Sequence, residues 1–226
     1  MADTKTLLRN YLAGYDLDAV VRLAEREHRV LTYLVALTYE LDPKLAWRST
    51  DGFGLAAARI ADRDPEFVRG HLRRLLWLLN DESGGIGWHA PELIGEVLRN
   101  RPAQFHEFMP ILASLLDMEP EDAVRFRAGW LWAIGRVAEV RPEAMAAALP
   151  WAALCLDDTD PQVRGLAAWC LGRLGQGALL AARPDLLADD GHVTLYDAGE
   201  FHTIRVALLA NAVLRGETGP PWKIVE

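Results

Sequence analysis

DPQVRGLAAWCLG, Asp160 to Gly172, decides the fold. Asp160 and Pro161 read as a helix start: an aspartate side chain can cap the free N–H groups of a first turn, and proline suits the first helical position. Val163, Ala167, Cys170, Leu171 and then Leu174 recur at the spacing that lines one helical face. With the closing glycine as a register mark, three upstream segments align without a gap: DPKLAWRSTDGFG ending at Gly54, SGGIGWHAPELIG at Gly95 and AVRFRAGWLWAIG at Gly135. The marks lie 41, 40 and 37 residues apart, and FHTIRVALLANAV, Phe201 to Val213, keeps the register with Val213 in place of the glycine.

A unit of this length repeated through a chain points to stacked supersecondary units. Most aligned segments follow another helix-like run, namely Arg29 to Leu41, Pro65 to Leu79, Ala103 to Leu116 and Glu143 to Leu156, and strand-like alternation is almost absent. The pattern predicts an all-α chain of helix pairs.

DPQVRGLAAWCLGRLG resembles the HEAT repeat, in the short form shared with phycobilin-lyase-like proteins, whose second helix reads roughly Asp-Pro-x-Val-Arg-x-x-Ala-x-x-Ala-Leu-Gly. DESGGIGW and LYDAGEF are similar to stretches of a bacterial HEAT-repeat family, and only the fold follows from that likeness. The resemblance implies a right-handed α-solenoid of about five helix pairs spanning residues 1–226, with second helices on a concave surface. Residues 1–26 are expected as a capping helix and 216–226 as a tail. It also implies structural roles for Asp160, near a helix start, and Arg164, reaching a neighbouring turn.

Composition sets outer bounds. With 51% hydrophobic residues the chain can bury a core, and a formal charge of −8 argues against a broad phosphate contact with nucleic acid. Cys155 and Cys170 lie in apolar helical runs and read as reduced, buried thiols. MADTKTLLRN has neither signal-peptide nor lipidation features and no apolar run reaches about 18 residues, so a cytoplasmic, soluble protein without membrane contact is expected.

DESGGIGWHAP, Asp81 to Pro91, falls on a repeat junction in which Gly87 stands where Arg164 stands later. Three glycines before a helix admit an anion, a tight turn, or a loop that clears space above the second-helix face. Three residues before each mark stand Asp51, Glu92, Trp132, Trp169 and Ala210; seven before stand Trp47, Trp88, Ala128, Gly165 and Val206. Residues four apart share a helical face, so Trp47, Asp51, Trp88, Glu92, Trp132 and Trp169 are expected on one stripe, with Arg48 and His89 beside it and room left by Ala128 and Gly165. Carboxylates with aromatic faces suit a cationic group, while the alternative is that the tryptophans fill space between helices.

No catalytic or metal template is matched. Gly-x-Ser-x-Gly, His-x-x-x-His and Cys-x-x-Cys are missing, no cofactor motif occurs, and Asp189, Asp190, His192, Asp197 and His202 in DDGHVTLYDAGEFH have no recognised ligand spacing; that loop is expected to replace a first helix, with Asp and Gly in turns. The expected function is a non-enzymatic binding or scaffold protein for a peptide, protein segment or small cationic ligand. HEAT resemblance leaves an enzyme open as the alternative, an alkylpurine DNA glycosylase or a phycobilin-lyase-like protein. GETGPPWKIVE, with Trp222 and Ile224 beyond Pro220 and Pro221, could dock on another protein or fold back on the last repeat.

Overall fold

A computed structural model describes residues 3–79, 87, 89–115 and 126–217, which divide into two compact units: residues up to His106 with Ala198–Glu200, and Glu107–Asp197 with Phe201 onward.

In the first unit the helices are α1 (Thr4–Ala13), α2 (Leu17–Ala24), α3 (Val30–Leu37), α4 (Pro43–Ala61), α5 (Pro65–Leu78) and α6 (Ala90–Asn100). Aspartates start several of them: Asp16 accepts from the Ala19 N–H, Asp42 from those of Lys44 and Leu45, and Asp64 from that of Phe67. Pro43 and Pro65 follow two of these caps, where a missing N–H costs nothing. The N-terminal cap, expected as one helix, is two, because the chain turns at Gly14–Tyr15.

The 19-residue α4 packs against α1, α2, α3, α5 and α6. It is therefore buried on nearly every side, including the polar run Arg48, Ser49, Thr50 and Asp51. Buried polar groups must be hydrogen-bonded or they destabilise the fold. Ser49 donates to the Leu34 carbonyl at 2.7 Å, and Arg48 donates to the carbonyls of Leu12, Ala13 and Gly199 and pairs with Glu200. Arg48, expected beside a binding stripe, instead ties together parts of its own unit.

The second unit contains α7 (Met109–Ser114), α8 (Arg127–Ala138), α9 (Leu149–Leu154), α10 (Pro161–Arg173), α11 (Pro184–Leu187) and α12 (Val206–Leu214), with 3-10 turns at His106–Phe108, Pro142–Ala148, Cys155–Asp157 and Gly177–Ala182. The expected first helices over 103–116 and 143–156 are broken into these shorter pieces. Pro110 and Pro150 each sit in the first turn of a short helix, and a proline inside a longer helix would remove a hydrogen bond and clash with the preceding turn.

Register glycines mark where successive second helices approach. A Cβ on Gly54 would lie 2.7 Å from the Glu96 Cβ, one on Gly135 2.1 Å from the Trp169 ring, and one on Gly172 2.8 Å from a Val213 methyl. At the helix start the Asp160 side chain accepts from the Gln162 N–H, while Arg164 pairs with Asp189 at 2.8 Å and donates to the Asp158 and Thr159 carbonyls. Arg127, at the same register position one repeat earlier, pairs with Asp158 at 2.7 Å.

The largest departure is a β-hairpin, β1 (His192–Asp197) and β2 (Glu200–Arg205), where a loop with turns was expected, followed by a repeat helix from Phe201. Ala198 and Gly199 both have positive φ, 47° and 84°, as a two-residue hairpin turn requires. Val193 and Leu195 are buried, and Val193 sits on Gly165, where a Cβ would come within 2.4 Å. The Gln162 side chain pairs with β1 as another strand would, accepting from the Thr194 N–H and donating to its carbonyl, both at 2.8 Å.

Candidate functional site

In the first unit, α4 and α6 lie side by side in register. Trp47 meets His89 edge to face at 5.3 Å between ring centroids, and two turns along Gly54 meets Glu96. Glu92, between those two points on α6, accordingly stands beside the Thr50–Asp51 turn of α4. Trp47, Asp51, His89 and Glu92, predicted from register alone, are thus brought to one seam.

The seam is polar and largely buried, with Trp47 half-buried at its start. Asp51 and Glu92 are 6% and 4% exposed. Asp51 accepts a 2.8 Å hydrogen bond from the Tyr15 hydroxyl. His89 Nδ1 lies 3.5 Å from Glu92 Oε1, within ion-pair reach but without hydrogen-bond geometry. Glu92 Oε2, His89 Nδ1 and Thr50 Oγ1 are buried with no hydrogen-bond partner among the described residues. Glu96, one turn further, is engaged by Arg99 at 3.6 Å and by the Asn100 amide.

Tyr15 was not foreseen. Its φ of 55° is unusual for a bulky residue. The Arg48 guanidinium lies over its ring at 5.2 Å, and Gly199 packs against the ring so closely that a Cβ would come within 2.7 Å. This packing offsets the backbone strain and holds the hydroxyl on Asp51. Only the Gly14–Tyr15 turn hints at it in the sequence, which has no periodic signal there.

The other half of the predicted stripe lies in the second unit and differs. Trp132 is 1% and Trp169 8% exposed, so neither lines an open groove. Trp132 donates through Nε1 to the Tyr196 carbonyl of the hairpin at 3.1 Å. Its ring already carries Arg136 at 5.3 Å, and the Trp169 ring carries Arg173 at 5.4 Å. The room expected beside Gly165 is filled by Val193. These tryptophans fill space and stack with their own arginines. Trp130, on the same helix as Trp132, is likewise fully buried.

Trp88 and Ser83 to Ile86 of the glycine-rich stretch lie outside the described residues, as does most of the tail. Gly87 is buried, and a Cβ there would come within 3.1 Å of Leu78, a tight contact that the glycine avoids. Asp189, Asp190 and Asp197 pair with Arg164, Arg205 and Arg136. Among the described residues no group of three His, Cys, Asp or Glu side chains is placed to hold a metal ion. Burial pushes the Cys155 thiol up to about 11 and raises that of Cys170 as well, so both free thiols stay protonated and are poor nucleophiles.

A family model described as HEAT-like repeat matches residues 124–174, the stretch that holds α8, the broken first helix and α10. Together with the helical architecture, this supports a HEAT-repeat protein with an all-α, HEAT-like helical repeat fold. No curated protein matches the sequence. Among the described residues no helix is long and apolar enough to cross a membrane.

Proposed function

We propose that this chain is a non-enzymatic HEAT-repeat binding protein that takes a cationic group, carried by a peptide, a protein segment or a small ligand, at Trp47, Asp51, His89 and Glu92. Helical repeats commonly bind partners along a helix face. The single observation carrying the reading is Glu92, whose Oε2 is buried without a hydrogen-bond partner among the described residues. A carboxylate so placed is costly to the fold unless a positive charge or donor meets it. An ammonium or guanidinium group supplies both, with Asp51 adjacent and the half-buried Trp47 adding an aromatic face.

Trp132 and Trp169 are left out of the site because arginines and the hairpin already occupy their surfaces. Titration calorimetry of the full chain with acetylated arginine amide, acetylated lysine amide and choline tests the reading. Saturable binding of at least one, reduced about tenfold or more by Glu92→Gln with the circular dichroism spectrum unchanged, is expected for a charge-assisted contact. Equal binding by Glu92→Gln contradicts it.

A further inference from the structure

A groove of about 280 Å³ runs between α3 and α5, the first helices of their pairs, away from the α4–α6 seam. From α3 it takes Val35 and Ala36, with Tyr39 from the turn just beyond its end, and from α5 it takes Arg74, Leu75 and Leu78. Thr32 and His71 face each other at the start of these stripes, Thr32 Oγ1 lying 3.5 Å from His71 Nε2. The α5 residues therefore form a stripe at helical spacing over about 10 Å, the length of two helical turns, and Thr32, Val35 and Ala36 of α3 form the facing stripe, which Tyr39 extends. Tyr39 is 49% exposed, and Trp77 beside the stripe is 53% exposed, so the apolar strip continues onto the open surface.

The charge of this strip runs against that of the chain. Net charge is −8 overall, yet α5 carries Arg69, Arg73 and Arg74 against a single Glu66. Glu66 is taken by Arg69 at 2.8 Å and stands 4.0 Å from Arg73, whereas no carboxylate pairs with Arg74 among the described residues. His71 Nδ1 lies 3.1 Å from the Phe67 carbonyl and so carries the proton, leaving Nε2 to accept from Thr32. Burial, with Arg74 nearby, lowers its tendency to protonate further. Arg74 is thus the formal charge on the groove at neutral pH.

We infer that this groove is a docking site for an acidic amphipathic helix of a partner protein, whose apolar side chains enter between α3 and α5 while a carboxylate meets Arg74. Its volume lies at the small end of what enclosed ligand pockets need, while paired stripes of this kind match the helix-in-groove mode of peptide recognition. It is a second site, independent of the seam at Glu92.

The test is fluorescence anisotropy of the full chain with a synthetic amphipathic helix, a leucine stripe flanked by glutamates, and with its lysine counterpart. The glutamate peptide is expected to bind saturably, and Arg74→Glu or the lysine peptide to weaken binding about tenfold or more. Ala36→Trp, which fills the groove without touching the charge, is expected to weaken it similarly, while Glu92→Gln leaves it unchanged. Both groove variants are checked by thermal melting. No binding of the glutamate peptide to the wild-type chain overturns the inference, as do equal affinities for both peptides, full binding by Arg74→Glu, or binding of octanoate in the groove without any binding of peptide.

Discussion

Gly135 shows how much a single residue carries. A Cβ there would lie 2.1 Å from the Trp169 ring, which also carries Arg173 at 5.4 Å. Gly135→Ala should therefore cost about 2–3 kcal/mol through overpacking of α8 against α10. An unchanged urea midpoint would show that the ring yields instead. The register glycines were legible in the sequence as marks. Their role as contact points was not, because the packing partner lies one repeat away. Asp189 gives a residue-scale prediction in pH. The hydrogen bond from Arg164 holds its carboxyl below the ordinary value, with the Gly191 N–H helping against burial. A folded-state value below the unfolded one contributes stability above about pH 4, and the contribution is lost as pH falls through the folded value. Asp189→Asn should then lower stability at pH 7, with the gap closing in acid; a gap equal at pH 7 and pH 3 contradicts it.

Among the elements, the paired helices of the first unit followed from periodicity and Asp-Pro starts, while the hairpin did not. His192 to Asp197 alternates only briefly, and its partner strand runs directly into the apolar helix α12, so helical periodicity masks it. The hairpin's support is also tertiary: the bidentate Gln162 amide and the seat on Gly165 cannot be read locally. Gln162→Ala should speed hydrogen exchange of the Thr194 amide and lower stability by about 1–2 kcal/mol, the cost of leaving strand groups unpaired. Unchanged exchange at Thr194 would mean that the strand is held by its neighbour alone. Burial of Trp132 has the same origin, since the Tyr196 carbonyl it meets comes from an element that helical register does not predict.

For the whole molecule, the repeat register located Asp51 and Glu92 on one seam, because equivalent positions on parallel second helices become neighbours. It also placed Trp132 and Trp169 on the same stripe, and there it failed: register specifies position along a helix, not what covers that position. Tyr15 escaped for the complementary reason, as its role depends on a turn outside the repeats. The proposed site makes Glu92 a buried carboxylate that takes a cation from the ligand. Titration calorimetry of wild-type and Glu92→Gln chains with acetylated arginine amide, acetylated lysine amide and choline tests this most directly. Saturable binding of at least one is expected, weakened about tenfold or more by the substitution while the fold melts at the same or a higher temperature, since a neutral amide is cheaper to bury than a carboxylate whose Oε2 has no hydrogen-bond partner among the described residues. Identical binding by the two chains, or a Glu92→Gln chain that melts far below wild type, would contradict it.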